Sequence, residues 1–342
     1  MAMICSVGNW WLKKPMDKQQ WTDYWSGGSL HSLSADYSGN YTGIIEAFWR
    51  EQFTELKAGA RILDVATGNG AIALHALSVS DEQNKAFEVS ACDLADINPL
   101  ETVQDEALKL ELEKIRFHSQ VNVERTNFPS DSFEFISSQF GLEYADLEKA
   151  ISEVSRLLSR GGKVAAMLHH PESYILRTTK QDKLQCDRLL DEYQLFEVAK
   201  ELIEKMGDVS SPERRAEMVQ ESEVLEARDR LNQTVQKINR ASQDLKHPEL
   251  TSNTLKALQS ILVQLSQASL AQRLAPLETI KGQIISSRER IEDLLGAAIN
   301  DKRKAQITNA LSAVGMKVKR FEPVVDEYKD IVGWALIATK PE

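Results

Sequence analysis

Short apolar runs alternate with helical spacings over the first half of the chain and again at its end. Ile62, Leu63 and Val65 form one such run, which stops at the turn Thr67-Gly68-Asn69-Gly70. Ala71, Ala73 and Ala76 follow and predict a small-residue helix that packs closely on a sheet. Upstream, Ile44, Ile45, Phe48, Phe53 and Leu56 recur at helical spacing, and Gly59 ends that helix. Downstream, residues 87–95, 115–123, 133–140 and 163–169 read as strands two to five, with Gly161-Gly162 as the turn into the fifth. Helices are expected over 100–113 and 147–158. Short apolar strands alternating with helices predict an α/β fold, a mainly parallel sheet covered on both faces.

From about residue 173 to 300 the pattern changes to long charged helices with few glycines. Leu231, Val235, Ile238 and Leu245 keep three-and-four spacing, as do Leu255, Leu258, Leu262 and Leu265, and then Leu277, Ile280, Ile284, Ile291 and Leu294. Breaks are expected at Ser210-Ser211-Pro212, His247-Pro248 and Ala275-Pro276. Amphipathic helices of this kind pack as a bundle or long hairpins. Then the first pattern returns: a helix near 304–313, Gly315, and strands over 316–323 and 331–339 joined by an acidic loop. Two sequential strands form an antiparallel hairpin readily. The chain therefore divides into an aromatic-rich segment 1–42, an α/β domain made of 43–172 and 301–342, and a helical insertion 173–300.

Composition narrows the chemistry. The chain has 342 residues, 42% hydrophobic and 27% charged, enough for a buried core without disulfides. A net charge of −10 argues against non-specific attraction to nucleic acid or anionic membrane. Cys5, Cys92 and Cys186 lack metal-ligand spacing and read as inert thiols of a reducing compartment, with no metal site. Residues 1–15 lack the basic start and apolar length of a signal peptide, and no run is long enough for a membrane span, so the expected location is cytoplasmic. Trp10, Trp11, Trp21, Tyr24, Trp25, Tyr37 and Tyr41 make 1–42 either a packed cap or a lid over a ligand.

The glycine turn fits G-x-G-x-x-A, with Asp93 a suitable distance on, so a dinucleotide and an NAD(P)-dependent oxidoreductase must be weighed. Asp64 speaks against it. A carboxylate inside the end of the first strand suits a cationic ammonium and would repel a pyrophosphate. The closing hairpin is likewise foreign to ordinary dinucleotide domains.

The run Leu63-Asp64-Val65-Ala66-Thr67-Gly68-Asn69-Gly70 closely resembles motif I of class I S-adenosylmethionine-dependent methyltransferases. The resemblance continues at Asp93, through residues 124–134 and 153–163, and into the final two strands. It implies a Rossmann-like methyltransferase fold with a mainly parallel seven-stranded sheet and an antiparallel last strand, here interrupted by the helical insertion. It also implies S-adenosylmethionine as cofactor and S-adenosylhomocysteine as product. Asp64 would then hold the methionine ammonium, and Ala66, Gly68, Asn69 and Gly70 would form the backbone cradle. Asp93, with Leu94 beside it, would accept the ribose hydroxyls; Asn122 and Val123 would meet adenine; Gln139 and Phe140 would lie under the methionine portion. Ala66 departs from the family's first glycine, and Asn122 from its usual aspartate.

Methyl transfer needs a positioned nucleophile and, where that is protonated, a base. His169 and His170 after strand five are the candidates for a base near neutral pH, against an orienting or structural role ahead of Pro171. Glu143 and Tyr144 after strand four suit a substrate pocket better than catalysis. Ser138-Gln139-Phe140-Gly141 lacks the Pro-Pro-aromatic signature of amino-methylating nucleic-acid enzymes, and no Pro-Cys of the cytosine type occurs. A small-molecule acceptor is expected, with the insertion as pocket roof or homodimer surface. The alternative is a cofactor-binding regulatory protein that acts through the helical block.

Overall fold

The apolar runs at the two ends of the chain become one seven-stranded sheet, ordered β3-β2-β1-β4-β5-β7-β6. The strands are β1 (Arg61–Val65), β2 (Glu88–Cys92), β3 (Arg116–His118), β4 (Phe133–Gln139), β5 (Leu158–Leu168), β6 (Lys317–Val325) and β7 (Ile331–Thr339). β1 to β5 pair in parallel, and β7 runs antiparallel to both β5 and β6, so the sheet is the mixed one expected. This computed structural model describes residues 18–32 and 39–342. The expectations placed on Cys5, Trp10, Trp11 and Tyr37 fall outside those residues.

Two compact units result, one holding the chain up to Ser173 and from Ala297 onward, the other Tyr174–Gly296. The first unit contains α1 (Lys18–Ser26), α2 (Gly43–Thr54), α3 (Ala71–Glu82), α4 (Pro99–Thr102), α5 (Glu106–Leu112) and α6 (Leu147–Leu157). The second is built from α7 (Tyr174–Asp187), α8 (Leu195–Met206), α9 (Pro212–Met218), α10 (Ser222–Ser242), α11 (Glu249–Gln264) and α12 (Leu270–Ala297). Helix α13 (Asp301–Ala313) returns the chain to the sheet.

On one face of the sheet, Ile151, Val154 and Leu157 of α6 join Ile307 and Leu311 of α13 over Leu63, Ile136 and Val164. On the other, Phe53 of α2 meets Phe135 with ring centroids 5.4 Å apart, and Trp49 is fully buried. The period of two along a strand therefore sends Leu63 to the first face and Asp64 to the second. Register sets Asp64 opposite Ser137 of β4. The strand order reverses direction between β1 and β4, the place where open α/β sheets leave a crevice at the strands' carboxyl ends.

Several boundaries differ from the sequence reading. The third strand stops at His118, because Gln120 takes a φ of 58° and its N–H bonds Ala95 O at 3.2 Å, turning the chain back toward β2. The helix expected over 100–113 is broken at Val103, and Asp105 caps a new start by accepting from Ala107 N and Leu108 N. Strand five begins at Leu158 and runs through the glycines as a bulge, its pairing jumping from Phe133↔Leu158 to Phe135↔Lys163. Pro276 does not break a helix; it lies inside α12, and the break falls earlier, around residues 265–269. One missing N–H is outweighed by the long remainder of that helix. In the helical unit Leu231, Ile238, Leu258, Leu277 and Ile284 are buried as their spacing predicts. Its densest core comes from Leu195, Phe196, Ala199, Leu202 and Ile203 of α8.

Candidate cofactor and active site

After β1 the chain turns through Ala66, Gly68 and Gly70, with φ of 53°, 55° and 93°. Left-handed backbone is natural for the glycines and costs an alanine about 1 kcal/mol. Space is arranged for that alanine: a Cβ on Gly141, after β4, would stand 2.4 Å from Ala66 Cβ. The glycine turn and the turn after β4 are thus in direct contact. A Cβ on Gly68 would stand 2.5 Å from the Trp25 indole, and one on Gly70 2.8 Å from the Phe117 ring.

Asp64 is buried, with Thr67 Oγ1 donating to Oδ2 at 2.6 Å and Ser137 Oγ to Oδ1 at 2.7 Å. Burial outweighs these hydroxyls and pushes its carboxyl up to about 6. Asp93, also buried, accepts from Gly68 N through Oδ2 and from Ala95 N through Oδ1, each at 2.8 Å. Burial raises this carboxyl too. The end of β2 is thereby tied to the glycine turn, and Leu94 beside it is half-buried. Val121 N bonds Asp93 O at 2.8 Å, which carries Asn122 and Val123 to the same edge. Asn122 is exposed, and its Oδ1 accepts from Glu124 N at 2.8 Å.

On β4, Gln139 Oε1 accepts from Trp49 Nε1 at 2.6 Å, while its Nε2 is buried without a partner among the described residues. Phe140 turns elsewhere. At a φ of 52° it stacks on His169, centroids 4.3 Å apart and planes 2° from parallel. A Cβ on Gly333 of β7 would meet that ring at 3.1 Å, so Phe140 packs toward β7.

The two histidines part company. His169 is buried, and burial alone lowers its imidazole to about 3, below the near-neutral range expected of a base. His170 lies against Trp334, centroids 4.4 Å apart, and its Nδ1 accepts from Glu172 N at 3.0 Å. Burial lowers its imidazole as well. Glu143 is fully buried in the turn Leu142–Tyr144. Its Oε1 accepts from His169 N at 2.8 Å, its carbonyl accepts from Arg303 Nη2 at 2.6 Å, and burial pushes its carboxyl up to about 7. Tyr144 stands edge-on to His169 and to Trp21 of α1, with centroids 6.2 and 5.5 Å apart.

Helix α1 lies along this edge. Trp25 covers Gly68, Trp21 meets Tyr144, and Thr22 Oγ1 accepts from Asp96 N at 3.0 Å. Asn69, expected in the cradle, uses its Nδ2 to hold the segment, donating to Trp25 O at 3.0 Å and Ser29 O at 2.7 Å. Ser137 and Arg303 were not singled out from sequence, and Trp25 was named only as one of the aromatics of a cap or lid. A pair of serines following the apolar Phe135 and Ile136 in a buried strand was a usable signal for Ser137. The contacts of Trp25 and Arg303 have no local signature.

Asp64, Asp93 and Glu143 therefore gather at one edge, buried, and none has a cation at ion-pair distance from its carboxylate among the described residues. Such an edge suits a positively charged ligand and opposes a pyrophosphate.

Comparison with known proteins agrees with this geometry. Residues 43–182 match the ubiE/COQ5 methyltransferase family. The chain is 31% identical over 127 residues to a demethylmenaquinone methyltransferase of Thermus thermophilus, covering 36% of this chain and 54% of that one. It is 30% identical over 167 residues to a ubiquinone/menaquinone biosynthesis C-methyltransferase of Shewanella piezotolerans, covering 44% and 61%. Among solved structures, it is similar to the CurJ carbon methyltransferase at a TM-score of 0.41 and 13% identity, covering 87% of this chain and 54% of that one. The chain spans between 54% and 61% of the length of these two curated relatives. No helix among the described residues is long and apolar enough to cross a membrane.

Proposed function

We propose that this chain transfers a methyl group from S-adenosylmethionine to a small, planar acceptor, a reading supported by the match of residues 43–182 to the ubiE/COQ5 methyltransferase family and by the sheet order. The observation that carries this reading is the set of buried carboxyls Asp64, Asp93 and Glu143, unpaired and facing the carboxyl edge of the sheet. The cofactor brings an ammonium and a sulfonium to an edge where no cation stands at ion-pair distance from these carboxylates among the described residues.

Asp64, oriented by Thr67 and Ser137, receives the ammonium. Asp93 accepts the ribose hydroxyls with the lone pairs that Gly68 N and Ala95 N leave free. Gly68 and Gly70 let the backbone approach, Asn122 and Val123 border the adenine, and Gln139 Nε2 donates to the methionine portion. Transfer itself is an in-line displacement whose barrier is lowered chiefly by holding donor and acceptor in line.

For the acceptor, the names of the two relatives support a quinone precursor methylated at carbon. The rings of Trp21, Tyr144 and His169 at the same edge favour a flat apolar molecule. A crystal soaked with S-adenosylhomocysteine tests the placement. The ribose is expected within hydrogen-bond distance of Asp93; a nucleoside bound elsewhere in the unit would overturn the reading.

A further inference from the structure

Among the acids of the α/β unit, Glu143 has an unfinished hydrogen-bond set. Its Oε1 accepts from His169 N, whereas Oε2 is buried and without a partner among the described residues. The groups facing it are few. His169, at the end of β5, is held neutral by burial. Tyr144 is its own neighbour in the turn. Arg303, on α13, donates to the Glu143 carbonyl and its charge opposes the effect of burial on the carboxyl. Burial outweighs the backbone N–H groups and the nearby Arg303 charge, and raises this carboxyl to about 7.

Position matters as much as burial. The turn that carries Glu143 is seated on the glycine turn through the Gly141–Ala66 contact, beside the β1/β4 crevice. A cation bound in that crevice would act on the buried Glu143 carboxyl through a region of low dielectric.

We propose that Glu143 is the proton carrier of the methyl transfer, protonated while the crevice is empty, ionised when the sulfonium binds, and reprotonated by the acceptor as the methyl leaves. This rests on the S-adenosylmethionine reading of the site. The step balances. The S–CH3 bond breaks with its electron pair going to sulfur, and the acceptor's nucleophilic atom forms the new bond to carbon. The proton of that atom passes to the Glu143 carboxylate. A sulfonium and a carboxylate are consumed together, and a neutral sulfide and a neutral carboxylic acid remain.

The test needs no acceptor. S-adenosylmethionine and S-adenosylhomocysteine share the ammonium, ribose and adenine and differ in the sulfonium charge. Titration calorimetry of each, in buffers of different ionisation enthalpy just below pH 7, counts the protons released on binding. The proposal expects S-adenosylmethionine to release about half a proton more than S-adenosylhomocysteine, or above that. Glu143→Gln keeps an acceptor for His169 N and is expected to abolish the difference while both ligands still bind. Equal proton counts in the unaltered protein would overturn the proposal, as would a difference that persists in E143Q. Binding of neither ligand would instead overturn the cofactor reading beneath it.

Discussion

The two ends of one sheet treat acidic residues in opposite ways. At the amino end of the parallel strands, Arg61 pairs with Glu134 at 2.5 Å, Lys163 with Glu55 at 2.8 Å and Lys340 with Asp131 at 2.7 Å. Hydrogen bonds from Lys340 hold the Asp131 carboxyl below its ordinary range, and at Glu134 those from Arg61 overcome the opposing effect of burial. At the carboxyl end, Asp64, Asp93 and Glu143 are buried among hydroxyls and backbone N–H groups, and all are raised. The first arrangement suits a solvated structural edge. The second holds carboxyls that favour folding less once ionised, a cost that a bound cation would offset.

The largest expected effect is on the pH dependence of the carboxyl end. Glu143 and Asp64 bind protons more tightly folded than unfolded, so stability is greatest below their ordinary values and falls as pH rises toward about 7 and about 6. All six tryptophans belong to the α/β unit or the segment before it, so tryptophan emission follows that unit's urea unfolding. Glu143→Gln is expected to gain up to about 3 kcal/mol over the unaltered protein above pH 7 and little at pH 5. A gain independent of pH would blur the contrast between the two ends.

Next in size is Asp93→Ala, which removes the carboxylate that holds Gly68 N and Ala95 N. It is expected to weaken S-adenosylhomocysteine binding by more than about tenfold. An unchanged dissociation constant would refute the ribose assignment. Ala66→Gly should stabilise the unit by about 1 kcal/mol, since the left-handed φ then carries no Cβ penalty; a lower urea midpoint would show that the methyl's packing matters more. Smallest is Arg61→Ala at the amino end. This half-exposed pair is expected to change stability by less than about 1 kcal/mol and to leave ligand affinity unaltered.

Much of this was legible in the sequence wherever the cause is local. The run from Leu63 to Gly70 announces strand, glycine turn and helix, and the two final apolar runs announce the hairpin. The leucine spacing of the helical unit picks out Leu231, Ile238, Leu258, Leu277 and Ile284 as buried, while others at the same spacing, such as Leu245 and Leu294, are only partly covered. What escaped depends on register or on distant contacts. Only the β1/β4 register sets Ser137 opposite Asp64. Only tertiary packing lays Trp25 on Gly68 and turns Phe140 toward Gly333. His169 and His170 look equivalent as a dipeptide, yet one joins Phe140 and Tyr144 while the other joins Trp334. Pro276 shows the reverse error, a strong local signal overruled by the helix around it.

The central claim is that the carboxyl edge is shaped for a cationic sulfonium nucleoside, and direct calorimetric titration tests it most plainly. The account predicts that S-adenosylmethionine and S-adenosylhomocysteine each bind at one site per chain, and that NADH produces no heat of binding. Saturable binding of NADH, with neither sulfur nucleoside bound, would contradict it.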